Sequence, residues 1–491
     1  MRILLIDPPF QRFMRFKCDW FPLGIGYLAA VLRNRGHDVR IYNAEFHDKQ
    51  RYLRSSELLS SFNLYLDALG NNGHAVWKEI GETIRRYAPD VVGITAPTVK
   101  FASAVSVAAI SKKLFPHAPV IMGGPHSTNC AREVLSRGEL DIVVHGEGET
   151  TIVELIDALG AKSDLRNVQG ISYKNPDGVI THNRTRTLID DLDSIPFPAR
   201  DLLLGNRVVD PENMGNMITT RGCPFRCTYC AAHTVWTHKV RYRSVDNVIE
   251  EIRFIREKFG TRQFTFWDDC FTLRKNRTLE FCEAIRSEQL DVKWGCNTRF
   301  DLLDEELISE MKLAGCNNVE VGVESGSPRI LEAIKKGETL EKMREVAEML
   351  NRNEIYWSAF FMIGFPQEDI SDIARTLESI DTLRPCWCTF SIFTPYPGTE
   401  LYENSVKTGL FPQDRDWSQF SHQSPHNSFT LHMSPGEFSE ITRTAIRKFE
   451  RYNRKPSLLL KKAKTRASLY YSSPKTLVGD SRKLVDWLGI T

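Results

Sequence analysis

The sequence predicts an α/β protein in which a doubly wound, Rossmann-like domain precedes a partial (βα)6 TIM-type barrel and a mainly helical C-terminal extension. Three observations predict this. The first 160 residues alternate short β-branched runs with helical stretches, a second βα series starts at Met217, and the tail beyond Phe411 becomes basic and helical in pattern. Strands separated by helices form parallel sheets that are covered on both faces. We expect a domain over 1–160, a hairpin and linker over 161–210, a barrel over 211–410 and an extension over 411–491.

The composition is that of a globular protein and excludes several functional classes. The 491 residues suffice for about three domains. With 64 basic and 62 acidic residues, the net charge of +2 is too small for a chain that mainly coats nucleic acid. No apolar run reaches the roughly 18 residues of a membrane span, and Met1–Asp7 is too short for a signal peptide. We therefore expect a cytoplasmic protein without a nucleic-acid partner.

In the N-terminal domain, glycine, proline and polar residues follow the predicted strands. Parallel strands present their carboxyl ends at one edge of a sheet, where ligands bind in doubly wound folds. The alternative is that glycine and proline only mark the ends of strands. The predicted strands are Ile3–Ile6, Val39–Tyr42, Asp90–Thr95, Val120–Met122 and Asp141–Val144, and the predicted helices are Gly24–Asn34 and Ala102–Leu114. The loops that favour a ligand site are Asp7–Pro9, Thr95–Thr98, Gly123–His126 and His145–Glu149.

The segment 161–210 has a different pattern. Two short runs, Ile171–Tyr173 and Val179–Thr181, flank the turn sequence Asn175–Gly178 and predict a hairpin. The prolines of Ile195–Pro198 continue neither a helix nor an inner strand. We interpret this segment as the connection between the two domains.

The second βα series predicts a barrel whose site lies at the carboxyl ends of its strands. Amphipathic helical stretches separate the strands. The predicted strands are Met217–Thr220, Phe264–Trp267, Val292–Cys296, Val319–Val323, Ser358–Ile363 and Thr389–Phe393, with helices at Val245–Phe259, Asp304–Ala314 and Leu340–Asn353.

Three cysteines directly after the first barrel strand carry the strongest chemical signal. Cys223, Cys227 and Cys230 stand at offsets of zero, four and seven residues. Thiolates favour zinc or iron–sulfur clusters, but no further Cys or His stands nearby at zinc-finger spacing. Three ligands to a four-iron cluster would leave one iron open. Arg221 and Arg226 could offset the charge of such a cluster, whereas a purely buried apolar role for the cysteines is improbable beside them.

This motif resembles the CxxxCxxC signature of the radical S-adenosylmethionine (radical SAM) superfamily, including the aromatic Tyr229 before the third cysteine. The resemblance implies that Cys223, Cys227 and Cys230 hold a 4Fe–4S cluster. It further implies that SAM binds the open iron and is cleaved reductively to a 5′-deoxyadenosyl radical, with electrons from a donor such as flavodoxin or ferredoxin.

Later strand ends match positions that contact SAM in similar proteins. Each of these polar residues could instead cap a helix, but five strand ends agree in order, from the second strand to the sixth, which ends at Thr394–Thr399. The resemblance implies SAM contacts for Asp268 and Asp269 after the second strand, Asn297 and Arg299 after the third, Glu324 and Ser325 after the fourth, and Ile363 at the end of the fifth.

The N-terminal domain resembles the cobalamin-binding domains that precede some radical SAM barrels. The pattern Pro22–Ala30 followed by Gly36–Val39 carries this resemblance, which with the barrel covers about residues 1–410. The DxHxxG motif that supplies an axial histidine to cobalt is absent, and His126 and His145 are poor substitutes. The residues expected to bind cobalamin are Pro9, Thr95, Thr98, Gly123, Gly124, Gly146 and Glu147.

The resemblance implies a cobalamin-dependent enzyme that methylates an unactivated carbon of a natural product, lipid or cofactor precursor. One alternative is a radical enzyme of the same architecture that does not transfer a methyl group, as in the anaerobic ring-forming enzymes of tetrapyrrole synthesis. Another is a non-enzymatic iron–sulfur or cobalamin sensor, although no helix-turn-helix pattern with a basic reading face is present.

Two further features stay secondary. Most of the remaining cysteines fit a buried apolar role, but Cys18 and Cys270 fall in loops near the expected cofactor faces. The segment 443–466 holds ten Lys or Arg and one acidic residue, Glu450. A basic helix of this kind suits peripheral contact with a membrane, but a solvated helix packed on the barrel is the favoured interpretation.

Overall fold

The computed structural model describes residues 1–18, 20–46, 51–175, 177–205, 210–411, 415–472 and 474–488. Its first sheet has seven strands in the order β2-β1-β3-β4-β5-β6-β7. The strands are β1 (Arg2–Asp7), β2 (Asp38–Asn43), β3 (Val91–Thr95), β4 (Val120–Gly123), β5 (Ile142–Val144), β6 (Ile171–Lys174) and β7 (Ile180–His182). The first five pair in parallel, so the carboxyl ends of β1, β3, β4 and β5 meet at one edge.

Seven helices accompany this sheet and confirm the doubly wound prediction. They are α1 (Leu23–Asn34), α2 (Ser55–Gly70), α3 (Ala75–Tyr87), α4 (Phe101–Leu114), α5 (Pro125–Asn129), α6 (Ala131–Ser136) and α7 (Glu149–Ala161). Helix α1 contacts α7, and α3 contacts α4. The aromatic residues Phe62 and Tyr65 of α2 pack against Phe10 in the loop after β1.

The predicted hairpin is present, and it belongs to the first sheet. Strands β6 and β7 pair antiparallel, and β6 also pairs antiparallel with β5. The hairpin therefore extends the N-terminal sheet at its edge rather than standing apart between the domains. Pro176 of the predicted turn and residues 206–209 of the predicted linker lie outside the described residues.

The second sheet is a parallel six-stranded sheet in the order β15-β14-β13-β12-β11-β8, as predicted for a partial barrel. Its strands are β8 (Asn216–Met217), β11 (Gln263–Phe266), β12 (Lys293–Thr298), β13 (Cys316–Glu324), β14 (Tyr356–Ile363) and β15 (Trp387–Ile392). One predicted strand is shorter than expected. The chain leaves the sheet after Met217, and β9 (Thr220–Arg221) pairs antiparallel with β10 (Arg241–Tyr242).

The helices of the barrel and the extension follow the predicted order. They are α8 (Ala232–Trp236), α9 (Val245–Phe259), α10 (Lys275–Ser287), α11 (Glu305–Leu313), α12 (Pro328–Ala333), α13 (Leu340–Arg352), α14 (Ile370–Leu383), α15 (Glu400–Lys407), α16 (Pro435–Asn453), α17 (Pro456–Ser472) and α18 (Pro474–Leu488). In the described residues, no helix is long and apolar enough to span a membrane.

The first helix of the extension packs on the barrel and covers its open edge. Phe449 of α16 contacts Phe361 and Phe390 of the last two strands. The Asn453 side chain accepts the backbone N–H of Cys388 at 2.9 Å and donates to its carbonyl at 2.8 Å. These two bonds replace the neighbour that β15 lacks, and an exposed strand edge is a site of aggregation. The favoured interpretation of the basic tail therefore holds for α16.

Buried charges join the two domains. Glu147, after β5, accepts hydrogen bonds from Arg221 of β9 at 2.9 Å and from Arg241 of β10 at 2.8 Å. Arg221 also binds Glu149 at 2.5 Å. Burial raises the pKa of Glu147, but the two guanidinium groups outweigh it and hold that pKa below its ordinary value. Removing one partner of such an ion pair would leave a buried charge unpaired, which is strongly destabilising. The ion pairs therefore fix how the strand-end loops of the first sheet meet the barrel.

Candidate active site

The three motif cysteines lie in a loop whose backbone requires a glycine. Gly222, directly before Cys223, has φ +103°, and an added Cβ would lie 2.3 Å from the Lys239 carbonyl oxygen. The loop thus turns away from β9 in a conformation that L residues rarely adopt, against the backbone that leads into β10. Cys227 and Cys230 follow in a turn, closed by a hydrogen bond from the Cys230 N–H to the Cys227 carbonyl at 3.2 Å.

All three cysteines line one open cavity of about 520 Å³, the cysteine cleft, at the carboxyl ends of the barrel strands. Five of the residues predicted to meet SAM or the cluster line it with them: Tyr229, Asp269, Asn297, Arg299 and Glu324. In the described part of the chain, no three Cys, His, Asp or Glu side chains converge as ligands of a single ion. A four-iron cluster has a different requirement, because each thiolate binds a separate iron.

The environment of the thiols differs along the motif. A hydrogen bond from Cys270 lowers the pKa of Cys223, while burial raises the pKa of Cys230 to about 12. Burial also raises the pKa of Cys227, against the nearby cations Lys336 and Arg299. The cleft thus places cationic side chains beside thiols that must lose their protons to bind iron.

The cleft also contains Lys336, which the sequence analysis missed, and Cys270, which it placed near an expected cofactor face. Lys336 is buried and lies 3.3 Å from Glu324 and 3.4 Å from Glu338. Cys270 lies beside Cys223, which makes it the one scattered cysteine that the structure brings to this cleft within the described residues. No periodic or motif signal marks Lys336, because it follows α12 in a loop that only the fold returns to the cleft.

Three predicted SAM contacts are not among the residues that line the cleft. Asp268 is 1% exposed and accepts hydrogen bonds from the Thr219 N–H and O–H, both at 2.6 Å, and from the Thr220 N–H at 2.8 Å. Ser325 is buried against Thr376, and Ile363 is fully buried. The Asp268 carboxylate thus holds the bend at which the chain leaves β8, and the expected contact of Asp268 with SAM stays a prediction.

Asp268 is therefore expected to act in folding. Asp268→Ala leaves three buried donors without an acceptor and should lower the free energy of unfolding by about 3 kcal/mol. Thermal or denaturant unfolding measures this loss. Asp269→Asn is the matched control, because Asp269 lines the cleft and accepts none of these bonds. Equal stability of Asp268→Ala and wild type would contradict this role.

Glu324 differs from Asp268 because its side chain lines the cleft. It ends β13 with φ +63°, a left-handed conformation that is costly for any residue except glycine, and its carboxylate lines the cleft. Strain of this kind is found at functional sites, where the surrounding structure maintains it. Glu324→Gln should weaken SAM binding by about tenfold, since a hydrogen bond to a charged group contributes about 1.5–3 kcal/mol. Equilibrium binding of SAM to the reconstituted protein tests this, and an unchanged affinity would exclude the role.

A second cavity of about 390 Å³, the apolar slot, lies at the edge of the first sheet. Five of the residues predicted to bind cobalamin line it: Thr95, Gly123, Gly124, Gly146 and Glu147. The walls are mainly apolar and come from the strands and from α1 and α7, with Leu5, Ile25, Leu28, Ile121, Val144 and Ile152. Small residues keep this space open, because a Cβ on Gly93 would lie 2.7 Å from the Leu5 side chain.

The other predicted cobalamin contacts are not among the lining residues. Pro9 and Thr98 do not line the slot, and Thr98 lies 3.3 Å from His126 instead. His126 is fully buried between Phe101 and Trp417, and His145 binds the Ser172 hydroxyl at 2.7 Å. Glu147 lines the slot, but its carboxylate is neutralised by Arg221 and Arg241.

The two cavities share one short helix. Helix α8 begins two residues after Cys230, and its residues Ala232, Val235 and Trp236 close the apolar slot. Trp236 also stacks under the Arg221 guanidinium, at 4.7 Å from the ring centre. The loop that carries the three motif cysteines therefore continues directly into α8, which forms one wall of the apolar slot.

Comparison with known proteins agrees with this two-cavity arrangement. The B12 binding domain model matches residues 13–156, and the Radical SAM superfamily model matches residues 217–380. An uncharacterized methyltransferase of Pyrococcus horikoshii is 33% identical over 465 residues, which are 94% of each chain. The chain belongs to the cobalamin-binding radical SAM family. It is a radical SAM enzyme, and its cofactors are a 4Fe–4S cluster, SAM and cobalamin.

Two more comparisons extend this result. The anaerobic magnesium-protoporphyrin IX monomethyl ester cyclase of Rubrivivax gelatinosus is 28% identical over 413 residues, covering 82% of this chain and 70% of the relative. The solved structure of the radical SAM methyltransferase TsrM from Kitasatospora setae, with cobalamin and a [4Fe-4S] cluster bound, shares the fold. It matches with a TM-score of 0.67 and 16% identity, over 93% of this chain and 89% of that one.

The residues of both cavities fit these cofactors. Three thiols without protein disulfides line the cysteine cleft together with cations and carboxylates, as a cluster and a zwitterionic amino acid require. The slot has apolar walls and glycines where an added side chain would occupy it, which suits a large, partly apolar cofactor.

Proposed function

We propose that this radical SAM enzyme is a cobalamin-dependent methyltransferase that acts on an unactivated carbon of a small molecule. The observation that carries the proposal is α8, which starts beside the cysteine cleft and forms a wall of the apolar slot. A substrate between these cavities would be near both cofactors. Holding reactants in place in this way replaces a costly encounter in solution.

When bound, the cluster and SAM supply a 5′-deoxyadenosyl radical, and cobalamin supplies a carrier for a methyl group. The chain's own residues bind and orient these groups. Cys223, Cys227 and Cys230 hold the cluster, and Asp269, Asn297, Arg299 and Glu324 hold the polar parts of SAM. The apolar lining of the slot keeps water from the carrier and favours transfer over side reactions.

The test is product analysis with methyl-labelled SAM. The reconstituted protein, supplied with cobalamin and a metabolite extract, should place the labelled methyl group in a small-molecule product and release 5′-deoxyadenosine. Release of 5′-deoxyadenosine without labelled product would favour a radical reaction without methyl transfer. No 5′-deoxyadenosine under reducing conditions would support a sensor and contradict both enzymatic readings.

A second candidate is a ring-forming or other rearrangement that consumes the radical without methyl transfer. It is favoured by the similarity to the Rubrivivax gelatinosus cyclase and by the engagement of His126 and His145 away from the slot. The same labelling experiment separates the two, because only the methyltransferase moves the label.

The proposal extends to the setting of the reaction. A cluster held by free thiolates needs a reducing compartment and an electron donor, so we propose a cytoplasmic enzyme served by a flavodoxin or ferredoxin. Peripheral membrane contact remains a proposal for the end of the tail, where the apolar residues Leu477, Val478, Leu484 and Val485 of α18 are exposed.

A further inference from the structure

A third cavity lies apart from both cofactor sites, between α2 and α16. This α2–α16 cavity has a volume of about 560 Å³. Its lining combines the apolar side chains of Leu59, Ile392, Phe438 and Ile446 with the polar side chains of Thr442, Arg443 and Arg447. The cavity lies near the barrel mouth, because its lining residue Ile392 is the last residue of β15. Phe438, another lining residue, packs closely on the loop after β14, where an added Cβ on Gly364 would lie 2.6 Å from its ring.

The two arginines of α16 that line the cavity have no ionic partner among the described residues. Arg443 and Arg447 stand one turn apart, and neither forms an ion pair or hydrogen bond within the described residues. Two acids near this lining, one on each helix, bind other groups. Glu450 accepts the Ser56 N–H at 2.9 Å, and Glu57 binds the Arg54 guanidinium at 3.0 Å. Arg443 and Arg447 are exposed, and two guanidinium groups beside apolar side chains suit an anion that carries an apolar body.

A buried polar group gives the second, independent observation. Thr442 lies on α16 next to Arg443 and is only 7% exposed. Its Oγ1 has no hydrogen-bond partner in the described residues, although it lines the cavity. A buried hydroxyl without a partner costs about 1–3 kcal/mol, and a ligand in the cavity would supply the missing bond.

We propose that the α2–α16 cavity binds the anionic end of the substrate, a phosphate or carboxylate attached to an apolar body. Arg443 and Arg447 bind the oxyanion, Thr442 donates to it, and Leu59, Phe438 and Ile446 contact the apolar part. This proposal rests on the proposed function, because it takes the bound molecule to be the substrate of that reaction. Since α16 belongs to the extension, it assigns part of the specificity to residues outside both family domains.

Binding of a simple probe tests the site without turnover. Octyl phosphate, 1-octanol and inorganic phosphate are titrated calorimetrically into the cluster-loaded protein. Octyl phosphate should bind at least about tenfold more tightly than either of the other two, because each lacks one half of the recognised chemistry. Binding of octyl phosphate no tighter than of 1-octanol would overturn the anion site, and equal binding of inorganic phosphate would overturn the apolar part.

Variants identify the residues. Arg443→Gln/Arg447→Gln should weaken octyl phosphate by about tenfold or more, and Thr442→Val, which keeps the shape of the side chain, should weaken it by several-fold. The matched control is Arg451→Gln, because Arg451 is exposed on the same helix but does not line the cavity. An equal loss in the control, or none in the double variant, would overturn the assignment.

The role in the reaction is measured separately. Where the wild type labels a product from SAM, the Arg443→Gln/Arg447→Gln variant should raise the substrate concentration needed for half-maximal labelling. Unchanged labelling would show that the substrate does not bind in this cavity. If the wild type labels nothing, methyl transfer fails as a function while the probe titration still decides the site.

Discussion

Replacing any one of Cys223, Cys227 or Cys230 by Ala is expected to remove bound iron and to abolish reductive SAM cleavage. The three thiols line one cleft, and each is proposed to bind a separate iron, so each replacement leaves one iron without its expected ligand. Loss of even an outer partner of a metal site costs about 10–100-fold, and loss of a direct ligand should cost more. Iron and sulfide analysis, together with 5′-deoxyadenosine formation, measures the effect.

Cys130→Ala is the matched control for these variants. Cys130 is a free, partly exposed cysteine between α5 and α6 and does not line either cofactor cavity. It should retain the iron and the SAM cleavage of the wild type. A variant lacking all three motif cysteines that still shows iron–sulfur absorbance would contradict the cluster assignment.

Gly123→Leu is expected to abolish cobalamin retention while leaving the cluster and the fold intact. Gly123 ends β4 and lines the apolar slot, and an added Cβ would meet only ordinary contacts at 3.9 Å. A leucine side chain there would occupy space that the cofactor needs. Gly124 is less suitable, because its φ of +108° and the Ala96 backbone at 3.2 Å would strain any side chain. The cobalamin absorbance of the purified protein measures retention.

Gly138→Leu controls for the substitution itself. Gly138 is exposed, lies outside the slot and has open space around its Cβ, so this variant should retain cobalamin. In the wild type, bound cobalamin should lack an imidazole from the protein, since His126 and His145 are engaged elsewhere. An imidazole-ligated spectrum would contradict that ligation, and full retention by Gly123→Leu would contradict the slot.

The agreement between sequence and structure is greatest where the signal is local. The alternation of apolar runs and amphipathic helices predicted the two parallel sheets, because strand and helix periods are properties of neighbouring residues. The spacing of Cys223, Cys227 and Cys230 likewise lies within eight residues. For the strand ends, the sequence located each polar residue at the barrel mouth but could not orient its side chain. Asp268 and Asp269 are adjacent, yet one holds a backbone bend and the other faces the cleft.

The sequence by itself determined the fold class, the cluster motif and the two-domain order of this protein. Only the tertiary structure decided which partners the charged side chains have. Arg221 stands beside the cysteine motif and was expected to offset the cluster, but it pairs with Glu147 and Glu149 of the other domain. Likewise, α16 meets α2 across nearly 400 residues of sequence to form the third cavity. A buried charge needs a partner because it has been removed from water. That partner can stand at any distance along the chain, so no local sequence pattern reveals it.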